Sequence, residues 1–256
     1  MLTRLRSLLF LGLGLCFSSQ STFADWTDNF DGGFQQTWDF GNLNGDLDAP
    51  SGSFVAEVDN DTLLLADPTS AASGGAALGF GFVNEVFDKV MVSGILNPNG
   101  QTDLNAFYGL AARADFSTLS GYVLSYDQSS GDIDLIRAVE GVQTGLASGN
   151  IGIIDDSIYA ELIAVGDSLT GRFFDAPGGS LLEELSGSDS LFSTGVAGVV
   201  VQVDQGSNAS VTAPLTGRWD SISAVAVPEP GSTLALSLLG TAIVAGRRFR
   251  KPHAAS

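Results

Sequence analysis

Short runs of Val, Ile, Leu and Phe, each closed by Gly-, Asp- or Ser-rich turn chemistry, recur from residue 51 to residue 226. "SFVAEV" and "TLLLAD" flank Asp59-Asn60-Asp61 and read as a hairpin around an Asx turn. "GGAALGFGFV" and "FDKVMVSGIL" follow; in the second, Phe87, Val90, Val92 and Ile95 are spaced as the buried face of one strand. "AFYGLAAR", "GYVLSYD" and "DIDLIRAV" are the clearest succession, with "DQSSG" as the turn between the last two. Ile133 and Leu135 alternate there with Asp132 and Asp134, the period-2 signature of a half-buried strand. "IYAELIAVG", "DSLTGRFFD", "GVAGVVVQV" and "DSISAVAV" continue the pattern. About a dozen strands at roughly 8–12-residue spacing, with almost no helical periodicity, predict an all-β antiparallel sandwich.

Several of these segments resemble one family of sandwiches. "DNFDGGFQQTW" looks like the opening strand of concanavalin A-like (laminin G-type) jelly rolls. "GLAARADFSTLSGYVLSYDQSSGDIDLIR" is similar to their central strands, "IYAELIAVGDSLTGRFFD" to the next hairpin, and "RWDSISAVAV" to the closing strand. The resemblance implies a jelly-roll β-sandwich of two packed sheets and, in many relatives, glycan binding on one face.

The two ends of the chain follow other rules. Arg4 and Arg6, the apolar run Leu8 to Phe17 and the small residue Ala24 read as a signal peptide over 1–24, cut by signal peptidase to leave Asp25 first. At the other end, Val227-Pro228-Glu229-Pro230 cannot continue a strand, because its prolines remove backbone donors. Sixteen uncharged residues, Gly231 to Gly246, come next. As a helix they span roughly 24 Å, short of the ~30 Å hydrocarbon core of a membrane. Arg247, Arg248, Arg250 and Lys251 then act as a stop-transfer cluster. This three-part tail is similar to the PEP-CTERM sorting signal of Gram-negative bacteria, with Pro228, Glu229 and Pro230 as its motif and Leu234–Val244 as its short transmembrane helix. The resemblance implies recognition by an exosortase-type membrane protease, transient anchoring in the inner membrane, and then a cell-surface or extracellular destination. The expected organisation is a signal peptide (1–24), a sandwich (25–226), a sorting signal (227–251) and a tail end (252–256).

Charge narrows the partners. All 29 acidic residues lie from Asp25 to Glu229, where only Lys89, Arg113, Arg137, Arg172 and Arg218 oppose them, a balance of −24. Such a surface repels nucleic acid and anionic headgroups while tolerating divalent cations and neutral glycans. Composition also removes chemistries. Cys16 and His253 are the only cysteine and histidine, and both lie in segments expected to be cut away. Ser-His and Cys-His catalysis and His-ligated zinc therefore have no residues to use.

Carboxylates remain. Glu57, Asp59 and Asp61 in "EVDND" superficially resemble the strand signature of retaining β-glucanases, whose chemistry needs an acid and a nucleophile about 5 Å apart. The hairpin reading instead puts Asp59 to Asp61 in a solvated turn. A structural Ca²⁺ would need six to eight oxygens, and Asp28 or Asp31 near the first strand could meet Asp220 on the last. "NLNGDLDAPSG", with Asn44, Asp46 and Asp48, is a second Asx-rich loop but lacks the closing Glu of an EF-hand. Glycan binding would use exposed aromatics, for which the candidates are Trp38, Tyr108, Tyr122, Tyr126, Tyr159 and Trp219. Tyr122 and Tyr126 share a strand face with Leu124 and are expected in the core, whereas one of Phe107 and Tyr108 must face outward. The expected function is a non-catalytic exported envelope or matrix protein associating with extracellular polysaccharide. The alternatives are a carboxylate-dependent glycoside hydrolase and a purely structural acidic matrix protein.

Overall fold

The computed structural model describes residues 25–44, 55–59, 62–67, 76–97, 105–154, 156–204 and 215–228. Fifteen strands run through them: β1 (Asp25–Asp28), β2 (Trp38–Asn44), β3 (Val55–Asp59), β4 (Thr62–Asp67), β5 (Ala76–Phe87), β6 (Val90–Leu96), β7 (Asn105–Asp115), β8 (Ser120–Asp127), β9 (Asp132–Val139), β10 (Val142–Asn150), β11 (Ile158–Val165), β12 (Ser168–Phe174), β13 (Leu181–Ser188), β14 (Gly195–Asp204) and β15 (Leu215–Ala226). They form two antiparallel sheets, as the alternation predicts. One has the order β13-β12-β11-β6-β15-β4-β3, with β1 added beside β15; the other has the order β10-β9-β8-β7-β14-β5-β2. The first holds eight strands and the second seven.

The core lies between the sheets and is filled by every second residue. Ile158, Ala160, Leu162 and Ala164 of β11 point inward, as do Leu169 and Phe173 of β12. From the other sheet come Tyr122, Leu124 and Tyr126 of β8 and Ile133 and Leu135 of β9. Each of the larger aliphatic or aromatic side chains among them contributes about 1.5–3 kcal/mol when fully buried. The tyrosines also carry polar tips that must be satisfied. Tyr126 Oη donates to Gly152 O (3.4 Å) and accepts from Ile154 N (2.9 Å). Tyr122 Oη donates to Asp189 Oδ1 (2.8 Å) and accepts from Phe192 N (3.1 Å). The two ends of β8 thus fasten two loops to the core.

Three details depart from the sequence pattern. The opening segment is not one strand but two, on different sheets: β1 pairs with β15 and β2 with β5. On β6 the buried face is Val90, Val92, Gly94 and Leu96, while Phe87 belongs to β5 and Ile95 faces the other way, half-buried. And β10 and β13 are additional strands at the two sheet edges. Both are largely exposed, so neither carries the alternation that marks a half-buried strand.

The β3–β4 hairpin closes with Asp59 opposite Thr62, as the turn reading requires. After β15, the Val227 amide donates to Lys89 O (3.1 Å) and Pro228 is exposed. Among the described residues no helix is long and apolar enough to cross a membrane. The expected signal peptide, Glu229, Pro230, the apolar segment Leu234–Val244 and the basic residues Arg247, Arg248, Arg250 and Lys251 lie outside the described residues, as do Asp46, Asp48 and Asp61.

Candidate functional site

The outward face of the seven-stranded sheet is set by the same alternation that fills the core. With Tyr108 and Leu110 inward on β7, Phe107, Gly109 and Ala111 face out; Val123 and Ser125 do so on β8, Ile136 and Ala138 on β9. Register aligns them across the strands. Ala111 stands opposite Val123, which stands opposite Ile136. Gly109 stands opposite Ser125, which stands opposite Asp134. A groove of about 490 Å³ runs over these residues.

Its walls come from turns as well as strands. Phe116, in the β7–β8 turn, stacks on Phe80 of β5 (centroids 4.8 Å apart, planes at 12°) and on Phe82 (4.9 Å, 18°). These rings and their neighbours, including Ala111, Val123 and Val200, form an apolar cluster separate from the core. The opposite wall is Val142 and Gln143 at the start of β10. The two turns at that end are tied together: Gly141 N donates to Leu119 O (3.1 Å) and Glu140 N to Ser120 Oγ (3.0 Å). Gly109 keeps the floor open, because a Cβ there would lie 2.5 Å from Val200 Cγ2 and 2.7 Å from Val123 Cγ1.

Arg113 positions this end of β7. Its backbone is left-handed (φ 49°) and its side chain is buried without a carboxylate partner in hydrogen-bonding contact. Instead the guanidinium donates to main-chain oxygens of three loops: Asp88 O, Gly166 O (2.7 Å) and Phe192 O (3.1 Å). Burial lowers its pKa, against the pull of Tyr122, Asp88 and Asp167. The turn carrying Phe116 and Leu119 therefore springs from a fixed point.

The groove's electrostatics are one-sided. Among the described residues that line it there is no Lys, Arg or His, and Glu140 is the one carboxylate. Asp134, next to Ser125 on the same face, has its pKa raised, first by burial and then by Asp132 and Asp127.

The aromatics and acids singled out in the sequence lie elsewhere. Tyr108 is turned into the core, with 1 % exposure and its hydroxyl donating to Gln128 Oε1 (3.2 Å), so its ring is not presented to a sugar. Phe107 takes the outward position instead. Trp38 is 9 % exposed; it stacks on Phe40 and meets Trp26 edge-on. Tyr122 and Tyr126 are in the core as expected, and Trp219 is fully buried too. Tyr159 is half-buried on the other sheet, its ring against Phe174.

Asp28 is wholly buried, and its carboxylate accepts hydrogen bonds from Phe30 N (2.9 Å), Gln35 N (2.9 Å), Gln36 N (3.1 Å) and Trp38 Nε1 (2.8 Å). These four donors, three on Oδ2 and one on Oδ1, make Asp28 a staple for the sheet-to-sheet crossing. Asp31 accepts from Asn29 Nδ2 (2.7 Å), and Asp220 from Asn97 Nδ2 (3.4 Å). Among the described residues no three acidic, His or Cys side chains are grouped to hold a metal. Glu57 and Asp59 belong to β3, the edge strand of the eight-stranded sheet, and so to the sheet that does not carry the groove.

No family model matches the sequence, and no curated protein sequence matches it. Solved structures do. A Bacillus licheniformis beta-glucanase superposes with a TM-score of 0.53 over 81% of this chain and 100% of that one, at 9% identity. Basic winged bean lectin, solved with Tn-antigen, gives 0.52 over 80% and 98%, also at 9% identity. A Clostridium perfringens endo-β-galactosidase that releases GlcNAcα1-4Gal gives 0.52 over 81% and 64%, at 10% identity. The fold is the concanavalin A-like sandwich. At these identities the likeness is one of fold alone.

Phe116, Leu119 and Val142, which shape this groove, carry no mark in the sequence. Phe116 and Leu119 sit in "DFSTLS", a segment that reads as a turn, and a turn residue's partners are set by register between distant strands.

Proposed function

We propose that the protein is an exported, non-catalytic component of the bacterial envelope or extracellular matrix that associates with polysaccharide through the groove on its seven-stranded sheet. The observation that carries this reading is the groove itself: an open apolar and aromatic trough with, among the described residues, one lining carboxylate. Glycoside hydrolysis by the usual route employs two carboxylates flanking the scissile bond. Among the described residues that line the groove Glu140 is the one carboxylate, which suits binding better than cleavage, and the Glu57 strand lies in the other sheet. The shared fold with a lectin and with enzymes acting on glycans agrees with a carbohydrate partner. Export and sorting rest on the terminal segments. The signal peptide would be cut by signal peptidase, and Pro228-Glu229-Pro230 with its apolar run and basic cluster would be read by an exosortase-type protease at the inner membrane.

Two assays test the reading. Incubated with polysaccharides, the protein should retain them without releasing reducing ends above background; release that Glu57→Gln abolishes would establish the hydrolase instead. In a Gram-negative host with an exosortase, Pro228→Ala together with Pro230→Ala should leave the protein in the inner-membrane fraction. Normal release of that variant would remove the sorting assignment.

A further inference from the structure

We infer that the groove selects neutral glycans bearing methyl groups, as acetyl esters or 6-deoxy sugars, over neutral glycans bearing hydroxyls alone. This rests on the polysaccharide reading above and specifies its ligand. The starting point is Leu119. Its backbone is left-handed (φ 52°), a conformation that favours Gly or Asn, yet it places a half-buried leucine on the groove wall. A strained position that keeps an apolar side chain points to a use for that side chain. Leu119 packs in part on the Phe80–Phe116 cluster, and across the groove Val142, 69 % exposed on an edge strand, is an apolar group that the fold leaves uncovered. The Phe116–Phe80 stack adds a third apolar surface outside the core.

The polar groups of the groove are largely spent within the protein. Ser120 Oγ accepts from Glu140 N and donates to Thr118 O (3.3 Å), and Ser125 Oγ donates to Asp134 O (3.4 Å). A sugar hydroxyl pressed against these walls would lose water without gaining a partner, whereas a methyl group gains from the same burial. Charge settles the backbone of the glycan. Among the described residues no base lines the groove, Glu140 sits on its rim, and residues 25–226 carry twenty-eight acidic against five basic residues, a balance of −23, so uronic or sulfated polymers are repelled.

The test is affinity electrophoresis of the full-length chain in mild detergent. The gels contain acetylated glucomannan, the same polymer deacetylated with mild alkali, a neutral rhamnan, or polygalacturonate. Binding should tighten about fourfold for each methyl group buried. A preference for acetylated over deacetylated glucomannan assigns the acetyl ester; a preference for rhamnan over deacetylated glucomannan assigns the deoxy methyl. Equal retardation by deacetylated glucomannan, or strongest retardation by polygalacturonate, overturns this inference and leaves polysaccharide binding standing. Retardation by none of them overturns both. Leu119→Asn, which suits the left-handed backbone, and Val142→Ser on the exposed rim should each keep the melting temperature and reduce the preference severalfold. If both variants keep the full preference, the apolar walls are not its source and the inference fails.

Discussion

Arg113 donates to the main-chain oxygen of Asp88 through both Nε (2.9 Å) and Nη2 (2.5 Å), tying the end of β7 to the β5–β6 connection. The same guanidinium reaches Gly166 O and Phe192 O, so one side chain closes three loops from both sheets. Leaving buried carbonyls unpaired costs about 1–3 kcal/mol. Arg113→Ala should therefore destabilise the protein by ~3 kcal/mol or more, a fall in melting temperature of about 6–12 °C for a domain of this size. Arg113→Lys should recover only a minor part, because an ammonium lacks the planar fork. Thermal unfolding of the three proteins checks this; a lysine variant as stable as wild type would show that the fork geometry is not what matters.

Asp28 offers a second test, with its own reporters. Its carboxylate gathers four donors, one of them the indole of Trp38, which packs against Trp26. Asp28→Ala should cost about 3 kcal/mol and shift the tryptophan emission to the red as the aromatic cap loosens. The loss should be the same in calcium and in EDTA, since what the carboxylate gives up is its contacts with these N–H groups. A destabilisation that appears only in calcium would make Asp28 a metal ligand after all.

Much of this fold is legible from the sequence because half-buried strands advertise themselves. Ile133 and Leu135 against Asp132 and Asp134 place β9 without ambiguity, and Tyr122, Leu124 and Tyr126 do the same for β8. The edge strands are hidden for the opposite reason: β13 reads "LLEELSGS" and β10 "VQTGLASGN", mostly exposed segments with no buried face to impose a period. Asp28 is hidden differently. Nothing local says that an acid in "DWTD" will be sealed under a loop and used as an acceptor. The groove is the least legible feature, since it requires Phe116 to reach Phe80 past an intervening strand. Alternation on β7 narrows the choice to Phe107 or Tyr108, and only the register with β8 and β14 turns Phe107 outward.

The Asp189 carboxylate gives the fold an acid-sensitive latch. Burial alone would raise its pKa, but donation from Leu191 N, Tyr122 and Arg137 outweighs burial and holds it below the ordinary value. Arg137 Nη1 lies 2.8 Å from Asp189 Oδ2. A carboxylate whose folded pKa is depressed contributes stability that is fully present above the unfolded value, ~3.9, and is lost as pH falls through the folded value. Asp189→Asn should therefore be less stable than wild type by about 2 kcal/mol at neutral pH. The gap should narrow below pH ~3.9 as the wild-type carboxylate protonates. Denaturant unfolding from pH 7 to pH 2.5 measures it, and a gap independent of pH would mean the charge contributes nothing.

The most direct test of polysaccharide association through this face is a melting-temperature series on the full-length chain in mild detergent, across neutral polysaccharides, for wild type and Ala138→Trp. The substitution places an indole in the groove from the outward side of β9, away from the core. At 100 times its Kd a bound polysaccharide should stabilise wild type by ~2.7 kcal/mol, a rise of about 5–11 °C. That rise is expected for wild type and none for Ala138→Trp, whose melting without ligand should match wild type. An equal rise in both proteins would place binding elsewhere and remove the groove as the polysaccharide site.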